Sequence, residues 1–126
     1  MMDDDKIIYK DLSYRIVGLA MEVHNKLKSG FLEKVYENAM MVLFRREGIN
    51  AAQQASIKVN FEGEEIGAYF ADILVENNII LELKVAANIS NAHKAQVINY
   101  LKATGVKLAI ILNFGNEELE FERIVF

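Results

Sequence analysis

The chain has 126 residues, of which 52% are hydrophobic and 25% are charged, so it suits one compact domain spanning 1–126 better than two domains too small to bury a core. It contains no cysteine, which excludes a disulfide framework, a thiolate zinc site and a cysteine nucleophile. The net charge of -4 argues against broad electrostatic adhesion to nucleic acid or anionic membranes. Any contact with nucleic acid must therefore be local or assisted by a metal.

Hydropathy indicates no membrane segment. The longest apolar runs, such as residues 108–112, fall far short of the roughly 20 residues that cross a bilayer. The chain starts with Met-Met-Asp-Asp-Asp-Lys, which is acidic and unlike the basic start of a signal peptide. We therefore expect a soluble, cytoplasmic protein with no membrane partner.

The N-terminal third has the hydrophobic period of a helix. A first helix is predicted from Asp11 or Ser13, either of which is a good N-cap, to about Lys28. A second is predicted from about Phe31 to Glu47, with Gly48 as its C-terminal stop. Two helices should therefore precede any strand.

After Gly48 the hydrophobic period changes to two. We predict strands over 57–61 and 66–75 joined by the turn 62–64, and a third strand over 79–85 after the loop 76–78. A helix over 90–104, capped by Asn88 or Ser90, leads to an apolar strand over 106–113 and an edge strand over 119–125. The strand-helix-strand crossover makes the fourth strand parallel to the third. The order α-α-β-β-β-α-β-β predicts an α/β fold with three layers, α/β/α, around a mixed central sheet.

The register of the second and third strands decides where their polar residues point. A three-residue loop pairs position 75 with 79 and 72 with 82, which puts the apolar residues on one face and Asp72, Glu82 and Lys84 together on the other. A two-residue loop pairs 72 with 83 and scatters the polar residues among apolar ones. We favour the first register because it does not bury polar groups among the apolar residues. Asn77 or Asn78 also tolerates the left-handed conformation that a three-residue loop usually requires.

This polar face carries the chemistry of a metal-dependent phosphodiesterase. Magnesium prefers hard oxygen ligands and keeps several waters, so the carboxylates of Asp72 and Glu82 with the backbone carbonyl of Leu83 form an adequate anchor for Mg or Mn. A metal held there lowers the pKa of a bound water, and Lys84 could orient that water or the phosphate. We therefore expect catalytic roles for Asp72, Glu82 and Lys84.

Two helices offer further groups. On the second helix Glu33 and Glu37 lie four residues apart, so either could approach the metal, or each could simply pair with a cation such as Lys34. On the third helix a polar stripe interrupts a face that should pack on the sheet, and Gln96 near Lys84 or a phosphate would satisfy it. The stripe consists of His93, Gln96 and Tyr100, of which Gln96 is expected to join Asp72, Glu82 and Lys84 in catalysis. We expect His93 and Tyr100, with Tyr36 of the second helix, to support the site or the packing around it.

Several segments resemble one known family. The run Gly-Phe-Leu-Glu-Lys-Val-Tyr-Glu at 30–37 fits the motif that names the GxxExxY proteins, and Asp72, Glu82-Leu83-Lys84, 95–105 and 112–115 are similar to that family as well. The resemblance covers nearly the full length. The family is assigned to the PD-(D/E)XK nuclease-like superfamily, which implies a restriction-endonuclease-like fold.

The resemblance also implies roles for individual residues. Asp72 takes the place of the motif aspartate, and Glu82 with Lys84 takes the place of the (D/E)XK pair, whereas Ala71 stands where the superfamily name has proline. Gln96 with Tyr100 resembles the Q-x-x-x-Y signature of RecB-like members. For the helical glutamate, analogy with archaeal Holliday-junction resolvases favours Glu37, whereas the family name stresses Glu33. Both assignments stay open.

Together these features predict a metal-dependent nuclease that hydrolyses phosphodiester bonds in nucleic acid, with DNA expected ahead of RNA. A catalytically silent nuclease-fold module for binding or regulation is the alternative, and the low positive charge favours it. A small subunit of a larger complex is a third hypothesis, because a domain of this size lacks appended recognition elements. A homodimer is another way to build a complete groove.

Overall fold

The structure, a computed structural model, describes residues 9–126. The acidic start of the chain, residues 1–6, lies outside the described residues. The elements follow the predicted order: α1 Lys10–Leu27, α2 Glu33–Glu47, β1 Ala51–Phe61, β2 Glu64–Val75, β3 Ile79–Lys84, α3 Asn91–Thr104, β4 Leu108–Asn113 and β5 Glu120–Val125. Within 9–126, no helix is long and apolar enough to cross a membrane.

The two N-terminal helices begin at other positions than their sequence predicts. Helix α1 starts at Lys10 after Tyr9, whose φ of 50° is left-handed, so neither Asp11 nor Ser13 is its N-cap. Helix α2 starts at Glu33, two residues after the predicted Phe31, and ends as predicted at Gly48, which adopts a φ of 70°. A left-handed cap residue therefore terminates α2.

Helix α3 has the cap that its sequence predicts. Ser90 Oγ accepts a hydrogen bond from the backbone N–H of His93 at 3.1 Å, and the N–H of Ser90 donates to His93 Nδ1 at 3.1 Å. This reciprocal pair satisfies two donors at the helix start. His93 therefore caps α3, and Gly105 ends that helix with a φ of 77°.

One five-stranded sheet runs in the order β1-β2-β3-β4-β5, with β3 and β4 parallel and the other pairs antiparallel, as predicted. Strand β1 begins at Ala51, well before the predicted Ile57, because the segment of alanine and glutamine that precedes Ile57 also pairs with β2. The turn between β1 and β2 consists of Glu62 and Gly63, with φ values of 52° and 81°. Two positive φ values suit a tight hairpin turn.

The register of β2 and β3 confirms the three-residue loop. Val75 pairs with Ile79 and Ile73 with Leu81, and Asn77 adopts a φ of 57° in the loop between them. The same register continued would place Asp72 opposite Glu82. The paired ladder ends at Ile73 and Leu81, however, so the two strands part where the polar residues begin.

Helices cover both faces of the sheet, which confirms the three-layer architecture. The face predicted to be apolar packs against α1 and α2 and is buried at all its predicted members: Ile73, Val75, Ile79, Leu81 and Leu83. The opposite face packs against α3 through a second cluster of buried residues: Ile57, Ala71, Ile80, Val97, Tyr100, Leu101, Ala109 and Ile111. The polar end of β2 and β3 lies at the margin of this second cluster.

The segment after β3 is fixed by Asn113 at the end of β4. Asn113 is fully buried, its Oδ1 accepts from the N–H of Ala86 at 3.0 Å and of Gly115 at 3.1 Å, and its Nδ2 donates to the Ala86 carbonyl and to Glu120, both at 3.0 Å. One amide thus joins the exit of β3 to the start of β5. Because Lys84 lies at the end of β3, these bonds hold the strand that carries it.

Candidate active site

Two carboxylates replace the missing ladder where β2 and β3 part. The backbone N–H of Asp72 donates to Glu82 Oε2 at 2.8 Å, and the N–H of Leu83 donates to Asp72 Oδ2 at 2.8 Å. Glu82 is buried and Asp72 is half-buried. The two side chains predicted to share a face are therefore interlocked through backbone donors of both strands.

Burial makes this pair reluctant to carry two negative charges. Burial, and after it the charge of Asp72, raises the pKa of Glu82 to about 8. Burial also raises the pKa of Asp72, against the opposing effect of the Leu83 N–H. Such a pair of carboxylates binds either a proton or a cation, so its chemistry suits a site for a positive ion.

Lys84 and Gln96 meet beside the carboxylates. Lys84 Nζ lies 3.3 Å from Gln96 Oε1 and donates a hydrogen bond to it, as the sequence predicts for this pair. Tyr100 lies one turn further along α3. Burial, and after it the charges of Glu82 and Asp72, raise the pKa of Tyr100 to about 12, which indicates that Tyr100 is also close to the carboxylates. The structure thus brings Gln96 and Tyr100 to the site, whereas His93 takes part in the cap of α3.

Helix α2 brings both glutamates toward Asp72. Partial burial, followed by the charge of Asp72, raises the pKa of Glu33. Glu37 is buried, and Lys34 Nζ donates to its Oε2 at 2.9 Å, which is the ion pair considered from the sequence. Its negative charge contributes to the raised pKa of Asp72. Both glutamates therefore act electrostatically on the same carboxyl group.

Gln53 and Gln54 belong to this network, and sequence reasoning missed them. Both side-chain amides donate to the Glu37 carboxylate, with Gln54 Nε2 at 3.0 Å from Oε1 and 3.2 Å from Oε2. A hydrogen bond from the Gln54 side chain also lowers the pKa of Asp72, against the net upward shift. The two adjacent glutamines are visible in the sequence, but their place beside the site can be predicted only once β1 is known to begin at residue 51.

Gln54 has an unusual backbone. Its φ of 53° lies in the left-handed region, which costs a residue with a side chain about 1–2 kcal/mol. The β1–β2 ladder skips it, because Gln53 pairs with Ile73 and Ala55 with Ala71. Strain of this kind collects at functional sites, where the surroundings hold it in place. Here it turns one amide toward Glu37 and Asp72.

Tyr36 has a structural position. Its ring is buried and stacks on Phe114 with centroids 4.6 Å apart. Its hydroxyl donates to the Lys28 carbonyl and accepts from the N–H of Phe31 at 3.3 Å. Tyr36 therefore fixes the loop that leads into α2 and supports the helix that carries the two glutamates.

The donor set fits a hard divalent cation with a small protein anchor. Among residues 9–126, no three His, Cys, Asp or Glu side chains are grouped to hold a metal. Asp72 and Glu82 offer carboxylate oxygens, and the Leu83 carbonyl faces the same strand edge as its N–H. Magnesium is commonly bound through one or two carboxylates while it keeps several waters. The predicted trio of Asp72, Glu82 and Leu83 matches that pattern.

Comparisons with known proteins agree with this architecture. A family model described as the PD-(D/E)XK nuclease superfamily matches residues 10–124, and members of that superfamily generally depend on divalent metals. The comparison with curated proteins gave no match. The solved structure of SSO0001 is similar in fold, with a TM-score of 0.55 and 17% sequence identity, over 73% of this chain and 48% of that chain. This chain thus spans about half the length of that protein. By the match over residues 10–124, the chain belongs to the PD-(D/E)XK nuclease superfamily.

Proposed function

We propose that this protein is a nuclease that hydrolyses phosphodiester bonds of nucleic acid with Mg or Mn, and that DNA is its substrate ahead of RNA. One observation carries the proposal: the interlocked carboxylates of Asp72 and Glu82 lie beside the Lys84–Gln96 pair where β2 and β3 part. Membership of a nuclease superfamily supports it. The expected reaction is attack of a water on a phosphodiester.

Each residue has a distinct role in this proposal. Asp72, Glu82 and the Leu83 carbonyl would hold a divalent cation, which would supply a water of lowered pKa and neutralise charge on the phosphate. The Lys84 ammonium donates a hydrogen bond to the phosphate or to the attacking water, where negative charge develops. Gln96 accepts from the Lys84 ammonium and keeps it directed at that position. Lys84 is thus the catalytic residue, and Gln96 is a positioning residue.

The helical glutamates divide their work. Glu37 already accepts hydrogen bonds from Lys34, Gln53 and Gln54, so it holds the network around Asp72. Glu33 keeps part of its surface exposed, and its pKa responds to the charge of Asp72. We therefore assign Glu33 as the helical carboxylate that adds negative charge beside the cation site, and Glu37 as a positioning residue.

Within the superfamily, we propose that the chain is a GxxExxY protein, and the structure offers a physical reason for the motif. Gly30 adopts a φ of 120°, a conformation that favours glycine. Glu33 approaches Asp72, and Tyr36 fixes the loop before α2 through Lys28 and Phe31. Gly30 therefore allows the turn, Glu33 supplies a carboxylate near Asp72, and Tyr36 stabilises the loop before α2.

Cleavage assays test the proposal. Single-stranded, duplex and branched DNA, and RNA, are incubated with Mg or Mn and with wild type, Glu82→Gln or the control Glu117→Gln, whose carboxyl group is exposed. We expect metal-dependent cleavage of at least one substrate by wild type and by Glu117→Gln, and a loss of about a hundredfold or more in Glu82→Gln. No cleavage of any substrate, or equal cleavage by all three proteins, would contradict the proposal.

Two observations favour a second candidate, a catalytically silent module for binding or regulation. The net charge is -4, and no group of three acidic or histidine ligands occurs in the part of the chain that the structure describes. Titration calorimetry with Mn separates the candidates. A nuclease should bind Mn weakly and lose that binding in Asp72→Asn, whereas a silent module should show no binding in either protein. The homodimer stays a prediction, which light scattering tests.

A further inference from the structure

We propose that a cleft between the β1–β2 hairpin and the C-terminal half of α3 binds an unpaired base of a single-stranded nucleic acid, next to the phosphodiester at the active site. The inference rests on the proposed nuclease function and names its substrate class. The cleft measures about 470 Å³, within the usual range for ligand sites of roughly 300–1,000 Å³. Its lining consists of Val59, Asn60, Tyr69, Asn99, Lys102 and Ala103.

The hairpin is held over α3 by apolar contacts at its middle. Ile57 is buried in the cluster that contains Val97 and Leu101 of α3, and its partner across the hairpin is Tyr69. The Tyr69 ring lies 5.4 Å from the Tyr100 ring at an angle of 49°. Tyr69 nevertheless remains 45% exposed, so a large part of its ring surface is open to a ligand.

The lining combines the three chemistries that recognise a nucleotide. The Tyr69 ring offers a surface for stacking, which sequence-tolerant binding of single strands uses at every base. Asn60 and Asn99 carry amide donors and acceptors of the kind that pair with base edges. Lys102 is an exposed ammonium for a phosphate, and its contact with the Phe126 ring, at 5.9 Å, is only a weak exposed cation–π interaction.

Tyr100 connects the cleft to the active site. The Tyr100 ring contacts the Tyr69 ring, and the charges of Glu82 and Asp72 add to the effect of burial in raising the pKa of the Tyr100 hydroxyl. Along α3, Gln96 beside Lys84, then Tyr100, then Ala103 in the cleft follow at spacings of four and three, so they lie on one face of the helix. The carboxylates and the cleft therefore lie near the same face of α3, on either side of the buried Tyr100.

The open Tyr69 ring favours a single strand over a duplex. In a continuous duplex the bases are stacked on each other and paired, so none of them is available to an aromatic side chain at the surface. An unpaired base can stack on Tyr69 without any cost of unpairing. The cleft therefore selects strands, overhangs or gaps in which the nucleotide next to the cut is unpaired.

The charges around the cleft limit the length of strand that is bound. The hairpin tip carries Glu62, Glu64 and Glu65, of which Glu65 has Lys58 as a partner at 3.9 Å. Carboxylates at the tip repel a phosphate backbone that continues past the cleft. We therefore expect a footprint of a few nucleotides and a shallow dependence on salt.

Fluorescence anisotropy tests the cleft without a need for cleavage. A labelled single-stranded oligonucleotide and a blunt duplex of the same sequence are titrated with protein in Ca²⁺, an oxygen-seeking cation that neutralises the carboxylates. The single strand should bind at least tenfold more tightly than the duplex. Tyr69→Ala should weaken single-strand binding about tenfold to a hundredfold, and Tyr69→Phe should bind like wild type. Lys102→Met should reduce the slope of log affinity against log salt by about 0.7.

A neighbouring aromatic residue provides the matched control. Phe70 is 58% exposed and follows Tyr69 on β2, so it points to the other face of the hairpin and does not line the cleft. Phe70→Ala should leave affinity unchanged. Equal binding of duplex and single strand, or equal weakening by Phe70→Ala and Tyr69→Ala, would overturn the proposal.

The two proposals can fail separately. Single-strand binding that depends on Tyr69, with no cleavage by wild type in Mg or Mn, would support the cleft and overturn the nuclease function. Metal-dependent cleavage by wild type, with Tyr69→Ala binding single strands as well as wild type, would support the nuclease function and overturn the cleft.

Discussion

The backbone N–H of Asp72 donates a hydrogen bond to the Glu82 carboxylate at 2.8 Å, and the Asp72 carboxylate accepts one from the N–H of Leu83 at the same distance. Two hydrogen bonds that a regular antiparallel ladder would make between backbones are thus made by side chains. The strands part at this point, and the β1–β2 hairpin continues toward α3 through Ile57 and Tyr69. The same two residues therefore line the opening of the sheet with two carboxyl groups.

The raised pKa of Glu82 predicts an unusual dependence of stability on pH. The folded protein holds a proton on Glu82 up to about pH 8, whereas the unfolded chain releases it near 4.5. Between these values the folded state binds more protons, so the free energy of unfolding contributed by this group is fully present below about 4.5 and is lost as pH rises to about 8. Urea unfolding should give a free energy of unfolding for wild type that is lower at about pH 8.5 than at about pH 6, by a few kcal/mol in order of magnitude.

Glu82→Gln is the matched control for this effect, because an amide keeps the shape and cannot ionise. Its stability should change less than that of wild type across the same pH interval. Added Mn at the higher pH should stabilise wild type and leave Glu82→Gln unaffected. Parallel pH profiles for the two proteins would show that Glu82 is already ionised near neutral pH.

The Tyr36 hydroxyl predicts a measurable cost for losing one oxygen atom. Tyr36→Phe keeps the ring on Phe114 but leaves the Lys28 carbonyl and the Phe31 N–H, whose hydrogen bonds to the hydroxyl are partly buried, without this partner. We expect the free energy of unfolding to fall by about 1–3 kcal/mol. Tyr14→Phe, at a site that is 82% exposed, should change it by less than about 0.5 kcal/mol. Equal stability of both variants would remove the proposed bracing role of Tyr36.

Gly115 and Gly18 should respond to alanine in opposite directions. A Cβ on Gly115 would lie 2.4 Å from the Ala86 carbonyl oxygen and 2.6 Å from its nitrogen, so backbone held by Asn113 must move. Gly115→Ala should cost about 1–3 kcal/mol by thermal or urea unfolding. Gly18 lies within α1 with no atom near its Cβ position, so Gly18→Ala should stabilise by about 0.5–1 kcal/mol. A Gly115→Ala protein as stable as wild type would contradict the close approach of Gly115 to the Ala86 backbone.

The left-handed backbone of Gln54 predicts a reversal of the usual order of glycine and alanine. Both Gln54→Gly and Gln54→Ala lose the bonds to Glu37, but only glycine also loses the strain of the φ of 53°. Gln54→Gly should therefore be more stable than Gln54→Ala by about 1 kcal/mol. At Gln53, which is not among the positive-φ residues, alanine should be the more stable replacement. The same order at both positions would contradict the strained geometry.

The sequence was sufficient to predict the order of elements, the register of β2 and β3, and the meeting of Lys84 with Gln96. These features follow from the hydrophobic period, because a shift of one residue would bury Asp72, Glu82 or Lys84 among apolar side chains. The interlocking of Asp72 with Glu82 and Leu83 was not predictable, since it depends on the ladder ending at Ile73.

What the sequence did not show has a physical reason in each case. Alanine and glutamine alternate too weakly to mark the start of β1, so Gln53 and Gln54 remained outside the predicted site. A left-handed glutamine has no sequence signature, since it is imposed by tertiary contacts. His24 also finds its partner, the Asn116 carbonyl oxygen at 2.8 Å, 92 residues away, where no local pattern could point to it.

The most direct test of the active site is the single-turnover cleavage rate of Lys84→Met at saturating Mn. Lys84 is proposed to stabilise charge on the reacting phosphate without binding the cation, so Mn affinity should be unchanged while the rate falls by about 10²–10³-fold. Lys107→Met, which removes an exposed ammonium at the other end of the sheet's parallel pair, should cleave like wild type. A Lys84→Met protein that cleaves at the wild-type rate would contradict the assignment of this site as a nuclease centre.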